Sequence, residues 1–176
     1  ETLVLLRNFQ VNGSLLINRG KLQINDNSTV IRNIVVENNL TIEAQAAITV
    51  GTGNTIGTYS IPSNMPADPE SYHDIYHQFI VKGDITNKGT IKFTNQNAPV
   101  YNQFTNTGAV TLRMEGSSDN NFLCFGPTDL YNFVIDKGSD KTYVVTLYAS
   151  NSNYFRLFVP NNVGRYESGN YSSSNP

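Results

Sequence analysis

Hydrophobic and polar residues alternate along this chain in short runs, and one phrase recurs: an alternating run, an Asn-x-Gly break, then a second alternating run. Val11-Asn12-Gly13-Ser14-Leu15-Leu16-Ile17 breaks at Asn18-Arg19-Gly20 and resumes as Lys21-Leu22-Gln23-Ile24. Val81-Lys82-Gly83-Asp84-Ile85-Thr86 breaks at Asn87-Lys88-Gly89 and resumes as Thr90-Ile91-Lys92-Phe93. A third copy is read through Phe104-Thr105, Asn106-Thr107-Gly108 and Ala109-Val110-Thr111-Leu112. A degenerate copy, Val36-Glu37-Asn38-Asn39-Leu40-Thr41-Ile42 followed by Ala47-Ile48-Thr49-Val50, keeps the alternation and loses the glycine.

Alternation at period two predicts strands with one apolar face. One such strip cannot bury that face alone, whereas stacked copies make a continuous apolar column and pair each backbone with its neighbours. The fold expected is therefore all-β, a single domain over 1–176 in the form of a parallel β-helix or β-solenoid, with a β-sandwich as fallback because alternating strands with short turns also describe one. Leu15, Ile17, Leu22, Ile24, Leu40, Ile42, Ile48, Ile85, Ile91, Phe93, Val110 and Leu112 share one phase and are the expected core. At least two of Gly20, Gly89 and Gly108 are expected at equivalent corners, with positive φ in at least one, since Asn and Gly reach positive φ at little cost, and the corner Asn residues can also form a ladder.

The spacing is uneven: 19 positions separate Asn87 from Asn106, and 25 separate Val11 from Val36. The 45 positions from Val36 to Val81 place an insertion at about 51–77. Pro62, Pro66 and Pro69 mark it as a long loop, with Asp68 to Tyr76 the best place for a short helix. Beyond Pro127, alternation continues through Phe133 and Ile135, then Tyr143, Val145 and Leu147, and a further run at Phe155 to Val159 reads as a strand.

Composition narrows the functional classes. Charged residues are only 15% and the formal net charge is −2, which gives no broad attraction to nucleic acid or anionic lipid. No apolar run approaches the roughly 20 residues of a membrane span, so no membrane insertion is expected from this segment. The single cysteine, Cys124, lies in Phe122-Leu123-Cys124-Phe125 and reads as a small buried hydrophobe. The absence of a starting Met and the Ser/Asn-rich tail suggest a piece of a longer chain.

The Val-x-Gly-x-Ile-x-Asn-x-Gly-x-Ile phrases, and the later run Tyr131-Asn132-Phe133-Val134-Ile135-Asp136-Lys137-Gly138 with Thr142-Tyr143-Val144-Val145, resemble the β-helical repeats of large secreted and surface, adhesin-like proteins of Bacteroidetes-type bacteria. That resemblance implies a right-handed β-helix scaffold at the cell surface or secreted, and it brings no catalytic motif onto this sequence.

Candidate chemistry is sparse. His73-Asp74-x-x-His77 has helical metal spacing but lacks the Glu expected beside the first His, so no metal or other cofactor is expected. Among the registered outer columns, Asn12, Glu37 and Lys82 mix charges, and Ser14, Asn39, Asp84 and Thr105 hold one acid; neither is the carboxylate pair that glycoside chemistry needs. Tyrosines beside Asn suit sugar or protein contact, combining flat apolar area with a hydroxyl. The candidate contact residues are Tyr59, Tyr72, His73, Asp74, Tyr76 and His77, all in the inserted loop. The leading function is a non-enzymatic scaffold or adhesin segment presenting loops to a glycan or a host or cell-surface protein. The alternative is a carbohydrate-active enzyme, a polysaccharide lyase or glycoside hydrolase, whose acids converge from distant copies.

Overall fold

The computed structural model describes residues 1–24, 30–51, 76–95, 108–139 and 141–158, and these are all-β, with no helix among them. Strands β1 (Thr2–Val4), β2 (Phe9–Val11), β3 (Leu15–Gln23), β4 (Asn33–Val36), β5 (Leu40–Thr49), β6 (His77–Val81) and β7 (Ile85–Asn87) lead into β8 (Thr90–Lys92) and β9 (Val110–Gly116). β10 (Asn120–Cys124), β11 (Thr128–Leu130), β12 (Asn132–Lys137), β13 (Val145–Ala149) and β14 (Arg156–Leu157) complete the order.

Two sheets form, and the chain visits them in turn. The five-stranded sheet runs β2-β4-β6-β9-β12, in sequence order across its width. The nine-stranded sheet begins with β1 on β3 and β3 on β5, then forks. The first half of β5 pairs with β7, and its second half with β8. One limb continues through β10 to β13, the other through β11 to β14. Each pass of the chain therefore lays one strand on the smaller sheet and one long or two short strands on the larger. Every pairing between named strands is parallel, unlike the antiparallel ladders of a sandwich, and the one antiparallel contact among the described residues is an isolated bridge from Thr94 to Ala109.

The registers follow the repeated phrase through three copies. Leu15, Leu40 and Ile85 align, as do Val11, Val36 and Val81, and Leu22, Ile48 and Ile91. Leu22, Val36, Leu40, Ile48, Val81, Ile85 and Ile91 of these lie in one buried cluster, which also takes Phe79, Leu112, Met114, Phe122, Cys124 and Leu130. Of the twelve residues expected in the core, ten are buried, while Leu15 and Ile17, at the first pass, are half-buried against it. A one-residue slip would have exposed the whole set, so this agreement fixes the phase.

The third copy is placed differently. Val110 and Leu112 lie on the smaller sheet opposite His77 and Phe79, and do not follow β8. The strand that extends β7 is β10, where Phe122 meets Ile85 and Cys124 meets Asn87. Gly126, and not Gly108, is the neighbour of Gly89: a Cβ on Gly126 would lie 2.1 Å from the Gly89 carbonyl oxygen. Gly20 has the positive φ expected of at least one corner glycine, at 84°. No Asn ladder includes Asn87, which aligns with Ile42 and Cys124. Its buried amide instead donates to the Gly126 and Pro127 carbonyls and to Thr128 Oγ1, at 3.2, 3.0 and 2.9 Å, stapling one pass to the turn of the next. Asn106, Thr105 and residues 52–75, which hold all but the last residue of the helix expected at Asp68 to Tyr76, lie outside the described residues.

Candidate functional site

Of the six contact residues read from the sequence, Tyr59, Tyr72, His73 and Asp74 lie outside the described residues. Tyr76 and His77 are described, and both are buried. His77 opens β6, and its Nδ1 accepts the Arg32 backbone N–H at 2.8 Å. Tyr76 places its hydroxyl 3.4 Å from that of Tyr131, with the rings edge to face at 5.0 Å. Burial pushes the Tyr131 phenol above the ordinary tyrosine range, with the hydrogen bond to Tyr76 opposing it. These two predicted contact residues thus pack the entry to the smaller sheet and present no ring to solvent. The phase of β6 explains His77: it alternates with Phe79 and Val81, which point inward.

The outer faces carry a different pattern. Lys82 reaches Glu37 at 2.8 Å, and Gln10 donates to the same carboxylate at 3.2 Å. The Lys82 ammonium is held above its ordinary value, first by the hydrogen bond to Glu37, against a desolvation that lowers it, with the charges of Glu37 and Glu115 adding to the rise. Arg113 bridges Glu115 at 3.0 Å and Asp136 at 2.5 Å. Lys88 holds Glu43 at 3.0 Å, and Arg156 clasps Asp129 through two bonds of 2.7 Å. Apart from the Arg113–Glu115 pair within β9, these pairs join neighbouring passes of the chain. Glu115, Gly116, Ser117, Asp136 and Gly138 line a shallow groove of about 330 Å³, which brings two carboxylates together around Arg113.

Where the smaller sheet hands over to the larger, a column of side-chain acceptors holds successive passes in step. Ser14 Oγ accepts the Asn39 N–H at 3.3 Å, Asn39 Oδ1 accepts that of Asp84 at 2.9 Å, and Asp84 Oδ1 accepts that of Asn121 at 2.8 Å. Ser14, Asn39 and Asp84 are the column registered from the sequence, with Asn121 next in line. Beside it lies a polar cluster that the sequence reading did not single out. The Asn120 amide donates to Asp84 Oδ1 at 3.2 Å, and Lys137 Nζ donates to Asn120 Oδ1 and, at 2.5 Å, to the Glu115 carbonyl. Asn120 and Lys137 are each only 7% exposed. Burial lowers the Lys137 pKa from the ordinary lysine value, while the charges of Asp119 and Asp84 raise it. A Cβ on Gly116, at φ +96°, would stand 3.2 Å from the Lys82 carbonyl oxygen and 3.6 Å from Lys137 Nζ. One signal was present in the sequence: Lys137 shares the inward phase of Phe133 and Ile135.

Among the described residues, no group of three or more His, Cys, Asp or Glu side chains is arranged to hold a metal ion. No family model, curated protein or solved structure matches this chain.

Proposed function

We propose that the chain is a β-helix scaffold segment, non-enzymatic and displayed at a bacterial cell surface or secreted, that presents contact residues to a glycan or a protein. The observation that carries this reading is the use of charge on the outer faces: Glu37 with Lys82, Glu43 with Lys88, Arg113 with Asp136 and Asp129 with Arg156 join one pass of the chain to the next. Such wiring maintains a rod and leaves its faces neutral. The alternation of the chain between two parallel sheets, the smaller filled in sequence order across its width and the larger in sequence order along each limb, supports a coil over other parallel arrangements. Contact is assigned to the inserted segment at 51–77 apart from the buried Tyr76 and His77, since its tyrosines and prolines supply aromatic area with limited ordering cost.

The test replaces residues 55–72 with a short Gly-Ser bridge and measures binding on glycan arrays and to host-cell surfaces, with circular dichroism as the folding control. Binding by the parent that falls at least tenfold in the deletion is expected. Binding that persists unchanged removes the segment from the contact surface.

A second reading draws on one observation, the two carboxylates of Glu115 and Asp136 in one groove. Enzymatic cleavage would release reducing ends from acidic or neutral polysaccharides and would disappear in Glu115→Gln or Asp136→Asn. The scaffold reading expects no release from the parent protein, and a release abolished by either substitution would replace it.

A further inference from the structure

A primary amine and a carboxamide, both buried, meet a half-buried carboxylate where the two sheets adjoin. Lys137 closes β12 on the smaller sheet, and Asn120 opens β10 on the larger. Lys137 Nζ touches Asn120 Oδ1, so the amide carbon Cγ lies one bond beyond the atom already in contact. On the far side of the same amide, Asn120 Nδ2 rests on Asp84 Oδ1 at 3.2 Å. Asp84 is itself fixed at both ends, its backbone N–H on Asn39 Oδ1 and its Oδ1 on the Asn121 N–H. Asp119, the other acid near the amine, has its Oδ1 accepting the Val144 N–H at 2.8 Å.

We propose that Lys137 and Asn120 join in an intramolecular isopeptide bond, with Asp84 as the proton carrier. The neutral amine of Lys137 attacks Asn120 Cγ, forming the new C–N bond. Asp84 takes a proton from the attacking nitrogen and delivers it to Nδ2, the Cγ–Nδ2 bond breaks, and ammonia leaves. Asn120 keeps its oxygen as the carbonyl of the new amide. Neither oxidant nor reductant is required, and if Lys137 begins as an ammonium its extra proton departs with the ammonia as ammonium.

Three features favour the reaction over a plain hydrogen bond. Burial makes the neutral amine accessible, which is the activation a nucleophilic lysine requires. The reactants are held in contact by two strands of a fixed register, so little orientational entropy remains to be lost. Asp84 sits on the leaving nitrogen, where proton delivery is needed. The product ties the end of β12 to the start of β10 and links the two sheets covalently.

Intact-mass measurement of the purified 176-residue protein decides the matter, because loss of one ammonia lowers the mass by about 17 Da. The parent is expected at that deficit, with a branched peptide joining Lys137 to Asn120 after proteolysis and no tryptic cleavage at Lys137. Lys137→Arg, Asn120→Ala and Asp84→Asn are each expected at their full sequence masses. A parent at its full mass overturns the proposal. So does a deficit that persists in Lys137→Arg, since a succinimide at Asn120 loses ammonia without the lysine. The branched peptide is read on the parent itself, so the result does not depend on whether a variant folds.

Discussion

Gly89 and Gly126 sit where successive passes come closest, and the space there admits no side chain. A Cβ on Gly89 would stand 2.2 Å from the Ala46 carbonyl oxygen and 2.4 Å from that of Glu43, all backbone atoms with no flexible end to yield. Gly89→Ala and Gly126→Ala are each expected to cost about 1–3 kcal/mol in urea unfolding, the usual range for overpacking. Gly13→Ala, with nothing within 4 Å, is the control and should change little. Equal midpoints for all three would remove the close-approach argument. Cys124 makes a second residue-scale case: it is buried, and burial pushes its thiol above the ordinary range, against a hydrogen bond to Thr128. Thiol reagents should modify it slowly in the native protein and rapidly in denaturant, and rapid native modification would contradict the burial. Its burial was legible from the apolar run Phe122-Leu123-Cys124-Phe125. The close approach of Gly126 to Gly89 was not, because the two belong to different passes and their contact depends on how many residues lie between.

At the scale of elements, period-two alternation was enough to set three of the copies in register, and Leu40, Ile42, Ile48 and Ile85 are buried as that phase requires. The third copy was misplaced because the same alternation describes strands of either sheet. Val110 and Leu112 match the phrase as well as Phe122 and Cys124 do, and only pairing separates them: β9 lies on β6, β10 on β7. The polar cluster was missed for a related reason. Asp84, Asn120 and Lys137 come from three passes, so no local spacing brings them together. The acceptor column, by contrast, was partly legible, since Ser14, Asn39 and Asp84 occupy one position of the phrase. Asn39 both donates its N–H to Ser14 and accepts from Asp84, which places it between three passes. Asn39→Ala leaves the Asp84 N–H without its acceptor and is expected to cost about 0.5–1.5 kcal/mol by chemical denaturation. An unchanged midpoint would mean that water replaces the side chain there at no loss.

For the whole molecule, the consequence of stacking is that stability is distributed by position. Among the described strands each pass pairs only with the passes beside it, so an interior pass is held on two sides and a terminal one on a single side. The apolar columns mark the difference: Ile42 and Ile85 are fully buried, whereas Leu3, at the first pass, is 65% exposed, and Ile135 and Leu147, at the last, are 55% and 45% exposed. β1 pairs only with the last part of β3, and β13 only with β10. Amide hydrogen exchange is therefore expected to be slowest in β4 to β8 and fastest in β1, β2, β13 and β14, with protection falling outward from the middle. The covalent tie between Lys137 and Asn120 adds a contrast within the last passes. β12 is anchored by it and β13 is not, so β12 should exchange more slowly than β13 in the parent, and the gap should narrow in Lys137→Arg. Uniform protection across all strands would show a single cooperative unit in place of a stack, and a gap unchanged by the substitution would show that the register of β12 on β9 is sufficient to hold it.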